Sequence, residues 1–233
     1  MKKERVWELD AIRGICILGM IVVHFFFDLV YIAGKDIRLP DWFEFVSNYG
    51  HILFILISGI CVTLASRSFK RGVIVFAAGL LISYVTLYLD YILHMRYLRI
   101  WFGILHLLGV CMMVYPIFKK LPFWVLAILG AAFVALGIWM QTLTLSFGYL
   151  FPLGLCSPRI YVGSDFFPIF PGLGWFLIGA ALGKSVYRKQ TTLLPKVNSD
   201  YFLLRFFRFV GRHSLEVYLL HQPILFLLVQ IFA

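Results

Sequence analysis

Residues 8–28 read ELDAIRGICILGMIVVHFFFD, an apolar run that nevertheless carries Asp10, Arg13, His24 and Asp28. About 20 mostly apolar residues cross the ~30 Å hydrocarbon core of a bilayer, and this run is long enough. An ionisable group at such depth costs a few kcal/mol unless it faces a cavity or a partner. On a helix turning about 100° per residue, all four groups fall within a stripe roughly 60° wide. One reading is structural: an ion pair of Asp10 with Arg13 and a packing hydrogen bond of His24 with Asp28. The other, favoured because two pairs align on one face, is that the stripe lines a polar path. Asp28, one turn beyond His24, is placed to accept the imidazole N–H, fix the tautomer and leave the other nitrogen as a base. Arg13 offers a planar positive fork for phosphate.

The rest of the chain has the same character. Of its 233 residues 62% are hydrophobic and 14% charged, and mean hydropathy is +0.92. Soluble domains are about half apolar and a quarter charged, so a water-soluble enzyme, a disordered tail and a disulfide-stapled secreted module are excluded. The length fits one domain or at most two, and residues 1–233 are read as a single transmembrane domain. Cys16, Cys61, Cys111 and Cys156 have neither C-x-x-C nor zinc-finger spacing, so no disulfide frame and no metal are expected. Residues 1–5 lead into the polar-striped run, which is therefore read as a retained helix and not a cleaved leader.

Seven runs qualify as spans: residues 9–32, 51–65, 72–89, 99–118, 122–140, 168–186 and 212–232. The second can extend back through Phe45. The expected fold is all-α, a polytopic transmembrane helix bundle. With the N-terminus cytoplasmic, the inner segments hold Lys2, Lys3, Arg5, Arg67, Lys70, Arg71, Lys119, Lys120, Lys184, Arg188, Lys189, Lys196, Arg205, Arg208 and Arg212. The outer ones hold Lys35, Arg38, Arg96, Arg99 and Arg159. This asymmetry predicts N-terminus inside and C-terminus outside. It also accounts for the net charge of +10 without nucleic acid as a partner. Residues 201–210, YFLLRFFRFV, read as a helix lying on the inner leaflet. The 141–167 stretch is too long and too apolar for a plain connector, and reads as a lid or re-entrant segment.

Polar residues recur in the later helices. Arg99 and His106 are seven apart and share a face of the fourth predicted helix. Tyr218 and His221 share a face of the last, where Pro223 removes a backbone hydrogen bond one turn back. Arg212 and Glu216 form an i,i+4 pair read as structural. Gly172, Gly174, Gly179 and Gly183 read first as a close helix contact. Asp165 either caps the sixth predicted helix or binds ligand at its outer mouth.

The segments RVWELDAIRGICILGMIVVHFFFDL, RIWFGILHLLGV, SDFFPIFPGLGWFLIGAALG and GRHSLEVYLLHQP occur in that order. In them the chain resembles the heparan-α-glucosaminide N-acetyltransferase catalytic-domain family in its short bacterial form. The Arg-x10-His spacing from Arg13 to His24 is also similar to that of the wider transmembrane acyltransferases. The resemblance implies transfer of an acyl group from cytosolic acetyl-CoA, or another acyl-CoA, to a sugar or glycan across the membrane. The heparan enzyme has a histidine after its first helix, whereas residues 31–50 contain none. The wider pattern therefore assigns the base role to His24, with Asp28 beside it. Coenzyme A is a polyanion, and Arg13 with basic loop residues such as Arg71 and Lys184 can hold its phosphates. His106, His221 and Tyr218 are the candidates to assist the thioester oxygen or the acceptor. Asp165 and the aromatic 141–167 stretch are placed to meet a sugar from outside. The expected setting is a bacterial inner membrane, with lipid around the chain, and the sequence admits a homo-oligomer. A small proton- or solute-coupled transporter is the alternative, because intramembrane Asp, His and Arg also mark such proteins.

Overall fold

A computed structural model of the chain describes residues 6–94, 99–143, 148–155, 157, 165–197 and 201–232. Residues 1–5, Arg96, Cys156, Arg159 and part of the 141–167 stretch lie outside the described residues. The helices are α1 (Trp7–Tyr31), α2 (Asp41–Leu64), α3 (Ser68–Leu93), α4 (Ile104–Phe118), α5 (Phe123–Gln141), α6 (Ile169–Val186), α7 (Phe202–Arg212) and α8 (Ser214–Phe232). No strand occurs among the described residues. Six of these helices, α1, α2, α3, α5, α6 and α8, are long and apolar enough to cross a membrane. With the shorter apolar α4, the bundle matches the seven runs read from hydropathy. The chain is a multi-pass membrane protein.

Two boundaries differ from the hydropathy reading. α2 starts at Asp41, because the run ahead of His51 keeps helical apolar spacing despite its polar residues. α4 starts only at Ile104, after an extended Gly103. Arg99 therefore precedes the helix and shares no face with His106. α4 is 15 residues long, about 22 Å at 1.5 Å per residue. α6 is irregular at its start, where Phe170 has φ −105° and ψ 126° and the Phe170–Pro171 bond is cis.

The helices gather into two compact units, Met1–Ile57 with Lys189–Ala233, and Ser58–Arg188. In the first, α1 packs on α7 and α8, and Phe26 of α1 meets Phe43 of α2 edge-on at 5.6 Å. Contact of α1 with α7 is backbone to backbone. A Cβ on Gly14 would fall 2.1 Å from the Phe207 carbonyl oxygen, and one on Gly211 would fall 1.7 Å from that of Asp10. Apolar area drives helices together weakly in lipid, so close approach at small residues supplies the packing. α7 follows the amphipathic pattern of its sequence. Val210 and Gly211 are buried, while Phe202, Leu203, Phe206 and Phe209 remain exposed.

Two polar ties reinforce the same end of α1. Buried Glu8 accepts hydrogen bonds from Thr192 Oγ1 at 2.8 Å and the Leu193 amide at 2.7 Å. Asp10 pairs with Arg212 at 3.3 Å. The i,i+3 partnership of Asp10 with Arg13 and the i,i+4 partnership of Arg212 with Glu216 both give way to this contact. An N–H from α7 satisfies a carboxylate that α1 presents to protein, not to lipid.

In the second unit, α5 packs on α6, α3 on α4, and α4 on α6. Gly130 and Gly174 lie against each other's carbonyls, and Gly172 lies under Leu107. The α6 glycines thus serve helix contact, as their spacing suggested. Lys184 donates to the carbonyls of Lys119 and Leu121, each at 2.6 Å, and so locks the turn between α4 and α5.

Gly211→Leu should separate α7 from α1 and lower stability by about 1–3 kcal/mol, the usual cost of overpacking. Gly19→Ala, which meets nothing within 4 Å, serves as the neutral control. Thermal unfolding of both variants in detergent checks this.

Candidate active site

α1 and α8 bring four of the residues singled out in the sequence into one cluster. His24 and His221 meet edge to face, with ring centroids 5.0 Å apart. Tyr218 stacks its ring at a tilt on His221, 5.2 Å away. Asp28, one turn beyond His24, is only 1% exposed. Its carboxylate accepts from Gln222 Nε2 through both oxygens, at 3.1 and 2.9 Å. The direct bond from His24 expected from i,i+4 spacing is replaced by this amide. A carboxylate only accepts, so Gln222 must turn its NH₂ toward Asp28 and its Oε1 away.

The helix backbone settles the tautomers. His24 Nδ1 lies 2.9 Å from the Met20 carbonyl, and His221 Nδ1 lies 2.5 Å from the Tyr218 carbonyl. A carbonyl oxygen cannot donate, so in the neutral imidazole each Nδ1 carries the proton and each Nε2 the lone pair. His221 Nε2 and Gln222 Oε1 are buried without a hydrogen-bond partner. Buried polar atoms are rarely left so. Here the two are acceptors on adjacent residues. Pro223 follows directly and lacks an amide proton, which weakens the helix ladder beside these side chains.

Gln222 carries no charge, so ionisable groups alone do not mark it in the sequence. A glutamine between a histidine and a proline within an apolar helix was the signal available. Arg13 lies half-buried on α1, one turn from Asp10.

The remaining candidates belong to the second unit. His106 is buried at 2% exposure, and its Nδ1 accepts from the Gly103 amide at 3.1 Å. Its proton is therefore on Nε2, which faces Ser83 Oγ at 3.4 Å. That is the opposite tautomer to His24 and His221. Its lone pair caps the first turn of α4, so His106 acts as a helix cap with no nitrogen to spare. Asp165 is not the cap of α6. α6 has Pro168 at its N-cap and no side-chain cap. The Asp165 carboxylate instead lies over Gly103, where a Cβ would fall 2.4 Å from Oδ2. It thus complements the positive end of α4, and the Phe167 amide donates to the Phe102 carbonyl at 3.0 Å. Arg71 is exposed in the first turn of α3, and Lys184 is committed to the α4–α5 turn. No group of three or more His, Cys, Asp or Glu suited to a metal occurs among the described residues.

The family model for heparan-alpha-glucosaminide N-acetyltransferase, catalytic, matches residues 5–223. No curated protein and no solved structure matches the chain. The matched region runs from the foot of α1 to Pro223 of α8 and so includes every residue of the histidine cluster. The chain belongs to the heparan-α-glucosaminide N-acetyltransferase catalytic-domain family of membrane acetyltransferases.

Proposed function

We propose that this protein transfers an acetyl or other acyl group from cytosolic acyl-CoA to an amine or hydroxyl of a sugar or glycan on the outer side of a bacterial inner membrane. The observation that carries this reading is the pair His24 and His221, each with Nε2 as its lone-pair nitrogen. His24 Nε2 takes the acceptor proton as the acceptor heteroatom attacks the thioester carbonyl carbon. A C–N or C–O bond forms, the C–S bond breaks, and the proton on His24 passes to the departing thiolate. Asp28, held by Gln222, lies one turn away and favours the transient imidazolium. The Tyr218 hydroxyl is the donor this cluster offers to the carbonyl oxygen as negative charge develops there.

Two histidines suit an amine acceptor in particular. An amine that arrives as ammonium gives up two protons in becoming an amide, whereas a hydroxyl gives up one in becoming an ester. One proton leaves with the thiol of CoA and the other needs a second base, which His221 Nε2 supplies.

His24→Ala should lower turnover by about 10²–10⁴-fold, the range for loss of a general base, for glucosamine and for a sugar offering only hydroxyls. His221→Ala should match it with glucosamine below the amine's pKa and fall short of it with the hydroxyl acceptor. Free-thiol release by the purified protein in detergent measures both.

Arg13 is assigned to the donor phosphates, with exposed Arg71 contributing positive charge on the same membrane side by the loop-charge asymmetry. Lys184 contributes its charge there only through an ammonium already bound to two carbonyls. Arg13→Ala should weaken CoA binding by ~1.5–3 kcal/mol, the size of a charged hydrogen bond, and Arg13→Lys should recover part of it. Calorimetric titration with CoA tests this.

Transfer across the membrane predicts activity in sealed vesicles when CoA and acceptor are supplied on opposite faces. Activity only with both on the cytoplasmic face would contradict the direction. Asp165→Asn, measured in the same vesicles, should raise the acceptor KM and leave CoA affinity unchanged if the outer mouth of α6 admits the sugar.

A further inference from the structure

α7 has three faces, and its packing on α1 uses only one of them. On a helix turning about 100° per residue, Phe202, Phe206 and Phe209 fall within about 60° of one another. Gly211, set against the α1 backbone, lies about 180° from Phe202. The phenylalanines are therefore turned away from α1, and Phe202 is 83% and Phe209 60% exposed. Arg205, Arg208 and Arg212 form a second stripe about 60° wide along the edge between these two faces. Arg205 is exposed and Arg208 half-buried, while Arg212 reaches back to Asp10. No Asp or Glu occurs from Tyr201 to His213, so the helix itself supplies nothing to offset this charge.

The connector ahead of α7 repeats this mixture. Leu193, Leu194 and Val197 are all exposed, with exposed Lys196 among them. They are held there by hydrogen bonds. The Leu193 amide donates to Glu8 at the foot of α1, and the Val197 amide donates to the Leu194 carbonyl at 3.2 Å. Water does not favour a contiguous row of aromatic and aliphatic side chains, and hydrocarbon does not favour arginine. Both are satisfied at the headgroup boundary, where rings enter the acyl chains and guanidinium groups meet phosphate. The close approach at Gly14 and Gly211 fixes α7 to a membrane-spanning helix, so the surface is formed before any lipid arrives.

We infer that α7 and the 193–197 turn form a binding surface for anionic phospholipid. Arg205 and Arg208 hold the lipid phosphate, and Phe202, Phe206 and Phe209 lie along its acyl chains. The arginine stripe selects against a zwitterionic lipid, whose own cation cancels the charge that these side chains meet. The row of phenylalanines selects for an amphiphile, because a soluble phosphate would leave it uncovered.

The test is native mass spectrometry of the full-length protein released from neutral detergent, titrated with one probe at a time. The probes are phosphatidylglycerol, phosphatidylcholine, sn-glycerol 3-phosphate and CoA. Phosphatidylglycerol should bind about fivefold more tightly than phosphatidylcholine, or better. Arg205→Gln should weaken phosphatidylglycerol about fivefold, the effect of one basic residue beside an anionic lipid surface, and leave phosphatidylcholine unchanged. Adding Arg208→Gln should bring the loss to roughly tenfold or more, whereas Arg205→Lys should keep most of the affinity. Phe202→Ser should weaken both lipids. Unfolding curves check that each variant remains folded. Arg13→Ala should bind phosphatidylglycerol as the native protein does, which separates this surface from the residue assigned to the donor phosphates. Equal affinity of the native protein for the two lipids would overturn the surface, as would phosphatidylglycerol binding that survives loss of both arginines. Arg205-dependent binding of glycerol phosphate or CoA as tight as that of phosphatidylglycerol would overturn it in favour of a soluble phosphate.

Discussion

The contact of α1 with α7 at Gly14 and Gly211 fixes the rest of the first unit. It leaves no room for a side chain on either glycine, so the two backbones have one available separation at that crossing. Asp10 then reaches Arg212, and Glu8 reaches Thr192 and Leu193. α8 begins at Ser214, directly after α7, so pinning the end of α7 also sets where α8 starts. His24 lies ten residues beyond Gly14, and His221 ten beyond Gly211. The two rings meet edge to face. In lipid, where apolar side chains gain little by leaving the solvent, such a close contact and its polar ties do the work that a hydrophobic core does in water.

Chemistry then depends on which nitrogen of each histidine is left over. In three of the buried or half-buried histidines, His24, His106 and His221, a backbone group has already engaged Nδ1. Carbonyls engage it in His24 and His221, which leaves Nε2 with a lone pair. An amide N–H engages it in His106, which leaves nothing basic. The same residue type keeps an Nε2 lone pair in two places and caps a helix in the third. The difference is the position of the imidazole along its helix: His106 stands in the first turn, where amides lack partners, and the others stand where carbonyls lie within reach of the side chain.

Charge is handled by a similar economy. Glu8, Asp10, Asp28 and Asp90 are all buried; the first three meet donors from segments distant in sequence, and Asp90 meets Arg99 just beyond its own helix. One oxygen in each of two polar side chains, Asp90 Oδ1 and Gln222 Oε1, is buried with no hydrogen-bond partner.

Much of this architecture was legible in the sequence. Apolar runs gave the crossings, because hydropathy and helical period are local properties that lipid turns into structure. The polar stripe of α1 and the amphipathic character of residues 201–210 could be read for the same reason. Residue spacing also put His221 and Tyr218 on one face of α8. What it could not give was the partner of each polar group. Asp10 looked to Arg13 and found Arg212. Asp28 looked to His24 and found Gln222. Asp165 looked to the helix it precedes and lies on the start of α4. Within one helix, i,i+3 and i,i+4 neighbours are the only candidates that periodicity offers. A hydrogen bond spanning some 200 residues exists only once helices have packed, and only that packing decides which local pairing gives way.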